Sequence, residues 1–468
     1  MPDTGRKPNI ILILTDHFRP DALSRGATPN LMALAARGTR FEHCYSAAPL
    51  CQPARNCIIT GKYPSQHGVC GNQSPPIAAT ERVDTFMHHL QRAGYFTALV
   101  GKHHYIDRYG IGMDVTDDDE TIKGYGFDSV FQVVDDGENQ HNDDRYTRYL
   151  EEKGTLEEFR SGFAEHTRSF RHPFDEDDSA DGFIGVNGVR FVSDYDPADH
   201  DGKPFYLNLS FVGPHPPYWH PGELTVDPDD TASPVGVPES ETAWFERVRT
   251  VRAHYEEKCR LIDRYVGRLV DALSARGILE DTAIIFTSDH GDNLGDFGIF
   301  DKRYFYEQSC GVPLIMAGPG VPSGERLNGP RVSKALCSHV DLYPTMLQLA
   351  GSSECASVAS SRERVGMSLI DAVDGGPGSR HREIHAELGT LVMVRTGGWK
   401  LVYDPEQGGV TDLYNLRRDP SELDNLAGAA GYDTIVRELL ESVLSHRIRM
   451  TQFTHAKEEQ RLQSIRTG

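Results

Sequence analysis

No apolar run in this chain approaches the ~20 residues that span a bilayer, so the sequence predicts no membrane-crossing helix. Positive charge is scarce as well: 48 Lys and Arg stand against 69 Asp and Glu, a formal net charge of −21. Phosphate backbones are held by clustered Lys and Arg, so this balance excludes nucleic acid as a partner. It also opposes long-range attraction of polyanionic polymers, while a local basic pocket for one small anion stays open. Cysteine is sparse: eight in 468 residues, at positions 44, 51, 57, 70, 259, 310, 337 and 355, with no zinc-type pairing. The opening Met1 to Lys7 leads into residues 9–14, too short an apolar stretch for a secretory leader, and the expectation is a cytoplasmic protein. No internal repeat is visible.

What is present is a water-soluble composition, 38% hydrophobic and 25% charged, in a chain longer than one compact core usually spans. Two unequal domains are predicted, an α/β domain over 1–375 and a smaller α+β domain over 376–468. Residues 9–14, 95–100, 205–212, 282–287 and 313–317 are apolar runs of the kind found in strands buried on both faces of a parallel sheet. Helices are expected over 28–35, stopped by Gly38, and over 86–93 and 253–275. The fold class that follows is α/β, a large mostly parallel sheet flanked by helices.

Four of those strands run straight into chemistry. Residues 9–14 lead to Thr15-Asp16-His17, 95–100 to Gly101-Lys102-His103-His104, 205–212 to Gly213-Pro214-His215, and 282–287 to Ser288-Asp289-His290. Open α/β sheets collect their ligands at the carboxyl ends of strands. One polar junction is ordinary loop chemistry; four that each deliver a metal-binding or acid–base residue point to a site. Asp16, Asp289 and His290 are the metal candidates, because carboxylates suit hard divalent cations and imidazole shifts preference towards transition metals. Residues 107–204, rich in Asp, Glu, Gly and Asn, read as insertions above the sheet edge, either a solvated surface or a substrate lid. After residue 351 the chain turns loop-like up to 379. Residues 391–395 and 399–403 then alternate as hairpin strands around Thr396-Gly397-Gly398, and a long helix runs from about 434 to the end. The smaller domain therefore contains an antiparallel sheet.

The stretch Cys51-Gln52-Pro53-Ala54-Arg55 runs on into Ile58-Ile59-Thr60-Gly61. An isolated cysteine is most often a buried, inert thiol. Here Gly61 closes a short apolar segment that reads as a helical turn, placing Cys51 near a helix N-terminus, where backbone N–H groups favour an anion. The pattern resembles the signature of type I sulfatases. Residues 15–23, and 288–296 followed by Lys302 and Tyr306-Glu307-Gln308-Ser309, resemble that family's N-terminal and second signatures. Residues 340–345 and 412–425 are family-like too, while 107–204 and 218–250 are unmatched.

The resemblance implies a fold of the alkaline-phosphatase-like superfamily and a hydrolase that releases inorganic sulfate from a small sulfated substrate. A maturation enzyme would read Pro53 and Arg55 and oxidise Cys51 to formylglycine, whose hydrate is the nucleophile; reduced thiols are consistent with that. One divalent cation, calcium first and manganese second, would be held by Asp16, Asp289, His290 and the modified Cys51. His17 stands where the family carries a second acid or Gln, and is a further candidate ligand. Arg55 would brace the modified residue and Asn72 contact it. Lys102 and His104 would face the hydrate and the sulfate, with His215 and Lys302 towards the leaving oxygen. The nearest alternative is a phosphonate monoester or phosphodiester hydrolase of the same superfamily, favoured by His290 and opposed by Lys102 and His104. A non-catalytic binding protein on the same fold is the alternative of another class. No membrane or nucleic-acid partner is expected, and self-association is left open.

Overall fold

The computed structural model describes residues 7–23, 26–77, 84–106, 110–323, 331–353, 364–374 and 381–467. Strand β1 (Asn9–Asp16) is buried along nearly its whole length. Side chains alternate between the faces of a strand, so Ile11 and Ile13 enter one core while Ile10, Leu12 and Leu14 enter another. The first core is closed by the helices Pro29–Ala36, Ala180–Asp194 and Thr242–Ala275, the second by Cys51–Thr60, Phe86–Arg92 and Leu342–Leu349. This sandwich, with helices on both faces, is why β1 carries no polar residue between Asn9 and Thr15.

The other strands of the main sheet are β2 (Gly38–Tyr45), β3 (Phe96–Gly101), β4 (Ser129–Gln132), β5 (Phe205–Pro214), β6 (Thr282–Ser288), β7 (Gly311–Ala317) and β8 (Arg331–Ser338). Their order is β4-β3-β5-β1-β6-β7-β2-β8. Among the described strands only β7 runs against its neighbours, β6 and β2; the other pairings are parallel. The expected mostly parallel sheet is therefore present. Strands β3, β5, β1 and β6 are consecutive in it, with Gly101 opposite Ser210, Asp16 opposite Pro214 and Thr15 opposite Ser288. All four polar junctions thus emerge side by side on one edge.

Residues 107–204 are more than an insertion above that edge. They supply β4, the edge strand beside β3, and the helix Ala180–Asp194, whose Phe183, Ile184 and Val192 pack in the first core. Their apolar residues are spaced for a helix and diluted by acids, so they make no run. Many of the acids do local work: Asp144, for instance, accepts from the Thr147 N–H at 2.8 Å and caps the helix Arg145–Glu152. The helix expected over 28–35 is Pro29–Ala36, ended by Arg37, and Gly38 opens β2 directly after it. A Cβ there would lie 2.0 Å from the Met316 carbonyl oxygen, so the glycine permits the close approach of β7. The helix expected over 253–275 begins at Thr242.

The smaller sheet consists of β9 (Glu383–Leu388), β10 (Leu391–Thr396), β11 (Trp399–Asp404) and β12 (Gly409–Asn415), all antiparallel. Val392, Val394 and Leu401 pack under Leu439 and Val443 of the helix Asp433–Thr467. Met393 and Val402, on the opposite face, meet Tyr45 and Leu336 of the main sheet. Residues 375 and 376, where the two domains were expected to meet, and Cys355 lie outside the described residues. No disulfide joins the described cysteines. Among the described residues no helix is long and apolar enough to cross a membrane.

Candidate active site

Cys51 is the first residue of the helix Cys51–Thr60, which follows an extended Leu50 and ends at Gly61 in the left-handed conformation (φ 64°). A helix start leaves backbone N–H groups without intrahelical partners. Asn72 satisfies one of them, its Oδ1 accepting from the Gln52 N–H at 3.1 Å. The Cys51 Sγ lies 3.1 Å from His290 Nε2 and 3.6 Å from Asp16 Oδ1, which brings the helix start onto the ends of β1 and β6.

Arg55, one turn further along and fully buried, organises the acids. Its Nε donates to Asp289 Oδ2 at 2.8 Å, and its Nη2 is 3.5 Å from Asp16 Oδ2. Its Nη1 donates to the Lys102 carbonyl at 2.9 Å and to Ser210 Oγ at 3.0 Å. With both Oδ2 atoms turned to Arg55, the two Oδ1 atoms face His290, at 3.5 Å from Asp16 and 3.6 Å from Asp289. The His290 Nδ1–H donates to the Gly291 carbonyl at 2.8 Å, so Nε2 is the ring nitrogen turned to the acids and Cys51. Asp16, Asp289, His290 and Cys51 therefore converge with one ligand atom each. Two carboxylates and an imidazole fit a divalent cation, calcium or a transition metal such as manganese. Burial, together with the Asp16 charge, pushes the Asp289 carboxyl up, a crowding that a cation between the acids relieves.

The other side of Cys51 is basic. The Lys102 Nζ forms an ion pair with Asp16 Oδ2 at 2.7 Å and donates to Asp135 Oδ2 at 2.8 Å. Burial works against its charge, but Asp135 and Asp16 raise the Lys102 pKa well above the usual lysine value. The Lys302 Nζ donates to His17 Nε2 at 2.7 Å and to His215 Nε2 at 3.2 Å. The His215 Nδ1–H donates to the Pro216 carbonyl at 2.6 Å. Burial would raise the Cys51 thiol, yet Lys302 and His290, with a hydrogen bond from His104, hold it well below the ordinary thiol range. A local pocket for negative charge thus exists in a strongly acidic protein. His17 (φ 69°) and His104 (φ 47°) both take the left-handed backbone conformation, which non-glycine residues adopt at a cost of about 1–3 kcal/mol and mostly at functional sites. Tyr255 steadies the first turn: its hydroxyl donates to the His17 carbonyl at 2.9 Å and accepts from the Arg19 N–H at 2.8 Å.

Cys51, Asn72, Lys102, His104 and His215 line one cavity of about 180 Å³. Asp16, Arg55, Asp289, His290 and Lys302 are buried against these residues. His17 groups with Asp16, Cys51 and His215, not with Asp289 and His290. Sequence reading missed Asp135, Ser210, Tyr218 and Asp292. Asp135 follows β4 as Lys102 follows β3, but β4 was hidden in the acidic segment. Asp292 lies inside the 288–296 stretch, two positions past the expected ligands Asp289 and His290.

A sulfatase family model matches residues 8–352. The chain is similar to a choline-sulfatase of Rhizobium meliloti (strain 1021), 32% identical over 91% of this chain and 83% of the relative. It is also similar to an arylsulfatase of Clostridium perfringens (strain 13 / Type A), 28% identical over 91% of each. Among solved structures, the phosphonate monoester hydrolase of Agrobacterium radiobacter shares the fold, with a TM-score of 0.77 and 24% identity over 95% of this chain and 96% of that one.

Proposed function

This chain belongs to the sulfatase family, and we propose that it hydrolyses a small sulfate ester to an alcohol and inorganic sulfate at the Cys51 centre. The observation that carries the reading is the position of Cys51 between two opposite environments. Asp16, Asp289 and His290 offer ligand atoms on one side, and Lys102 and Lys302 bring positive charge on the other. In the matured protein a formylglycine hydrate at position 51 would supply the nucleophile, and a bound divalent cation, calcium first and manganese second, would neutralise the charge of the ester. Asp16, Asp289 and His290 would hold that cation, and Arg55 fixes both acids. Lys102 and His104 bind sulfate oxygens, and the Asp135 contact keeps Lys102 aimed at the cavity. A volume of about 180 Å³ is below the usual range for drug-sized ligands and favours a small alcohol over a polymer.

Because Gln52, Pro53 and Arg55 are buried within a formed helix, the maturation enzyme must meet this stretch before the chain folds around it. We take the compartment to be the cytoplasm.

The leaving oxygen needs a proton, and the hydrogen bonds decide where it is stored. The His215 Nδ1–H is committed to Pro216 and its Nε2 accepts from Lys302. Burial, then Lys302, lowers the His215 pKa well below the usual imidazole value. The Lys302 ammonium is therefore the resting proton donor, and His215 shares its load. A general acid contributes ~10²–10⁴-fold, mostly for poor leaving groups. Lys302→Ala and His215→Ala should each slow alkyl sulfates far more than 4-nitrophenyl sulfate. Equal losses on both esters would reduce the pair to a binding role.

The second reading, a phosphonate monoester or phosphodiester hydrolase, is favoured by the Asp289–His290 pair. Lys102 and His104 oppose it. Assaying an aryl sulfate beside an aryl phosphodiester, with matured protein, separates the two. A higher kcat/KM on the sulfate is expected, and preference for the diester would replace the proposal by the second reading.

A further inference from the structure

His17 stands one residue after a metal-ligand candidate, yet its hydrogen bonds face elsewhere. Its Nδ1–H donates to Asp292 Oδ2 at 2.7 Å. The same oxygen accepts from the Tyr218 hydroxyl at 2.6 Å. The other oxygen of Asp292 accepts from the Leu294 N–H at 2.8 Å and the Asp301 N–H at 3.0 Å. Each oxygen of this buried carboxylate thus carries two donors, which leaves it no freedom to rotate. Asp292 consequently holds two things at once: the His17 tautomer and the backbone immediately before Lys302.

With Nδ1 protonated, His17 Nε2 has one lone pair, and the Lys302 ammonium occupies it at 2.7 Å. The nearest carboxylate oxygens lie beyond hydrogen-bond reach, Asp16 Oδ1 at 3.7 Å and Asp301 Oδ1 at 3.9 Å. A single lone pair cannot serve an ammonium and a metal together. His17 converges with Asp16, Cys51 and His215 on the lysine's side of Cys51, while Asp289 and His290 converge with Asp16 and Cys51 on the other. The imidazole packs edge-on against both His290 and His215, at 4.6 Å between ring centroids in each case. It forms the wall between the ligand cluster and the lysine.

We infer that His17 is a positioning residue for Lys302, oriented by Asp292 and Tyr218, and is not a ligand of the cation. The inference rests on the proposed role of Lys302 as the proton donor to the departing alcohol. With two of its three N–H bonds fixed by His17 and His215, the lysine aims the third in a set direction.

Metal content per chain and kcat on an alkyl sulfate and on 4-nitrophenyl sulfate test this, in His17→Ala, Lys302→Ala and the double variant. His17→Ala should keep its cation and lose about tenfold or more on the alkyl ester, with a much smaller loss on the aryl ester. In the Lys302→Ala background His17→Ala should cost nothing further, because a residue acting through the lysine has nothing left to position. Loss of the cation in His17→Ala, or additive losses in the double variant, would overturn the inference. Tyr218→Phe removes one hydrogen bond to Asp292 and guards against misfolding of the alanine variant. It should show the same ester-selective, non-additive loss with the cation retained; an equal loss on both esters would overturn the inference. If the wild type hydrolyses neither sulfate, the proposed function fails, while the metal measurement still decides the place of His17.

Discussion

Cys51→Ala is expected to abolish turnover, a loss on the order of 10³-fold or more, since removing the nucleophile of a covalent mechanism leaves only binding and charge stabilisation. Cys51 begins its helix and its Sγ meets His290 and Asp16, while the helix is anchored separately by Ile58 and Ile59 in the second core. The variant should therefore fold, with an unchanged circular dichroism spectrum. Cys51→Ser is the sharper control. It keeps size and polarity and should be equally inactive wherever serine is not matured. Substantial activity in either variant, on an aryl sulfate, would show that hydrolysis does not pass through position 51.

Asp289→Ala should lose the cation and the activity together. The side chain offers one of four converging ligand atoms and also holds the Arg55 guanidinium at 2.8 Å. Its removal leaves a buried arginine with the weaker Asp16 contact at 3.5 Å, and breaking a buried pair from one side costs about 3–5 kcal/mol. Asp289→Asn separates the two effects, because its amide oxygen still accepts from Arg55 while the negative charge is gone. Elemental analysis per chain should fall from about one divalent ion towards none in both variants. The rate should fall by ~10²–10³-fold, the share expected of a cation worth several kcal/mol at the transition state. A fully active Asp289→Asn protein without bound metal would remove the cation from the account. Manganese exceeding calcium in the wild type would match the imidazole of His290 as a ligand.

The sheet and its polar edge were legible because β1, β3, β5 and β6 are buried on both faces and so are mostly apolar and carry no charge before their ends. Their ends then stand out as the first Asp, Lys or His residues. Other strands escaped for the opposite reason. β2 mixes Arg40, Glu42 and His43 into its length, one strand in from the sheet edge, and β4 has only four residues in an acidic neighbourhood. The candidate residues came from motifs that are contiguous in sequence, so residues that act through tertiary contact were invisible. Asp135 reaches Lys102 from β4's end, Tyr218 reaches Asp292 across 74 positions, and Ser210 reaches Arg55 from inside β5. The direction in which His17 turns could not be read from its place beside Asp16; it depends on the left-handed backbone and on Asp292.

Mass analysis of the peptide containing Cys51, from a preparation whose sulfatase activity has been measured, tests the central claim most directly. Conversion of a thiol to an aldehyde lowers the peptide mass by roughly 18 Da relative to the reduced form. The activity of independent preparations should rise in proportion to the fraction of peptide carrying that loss. A fully active preparation whose Cys51 peptide is entirely unmodified would contradict the account.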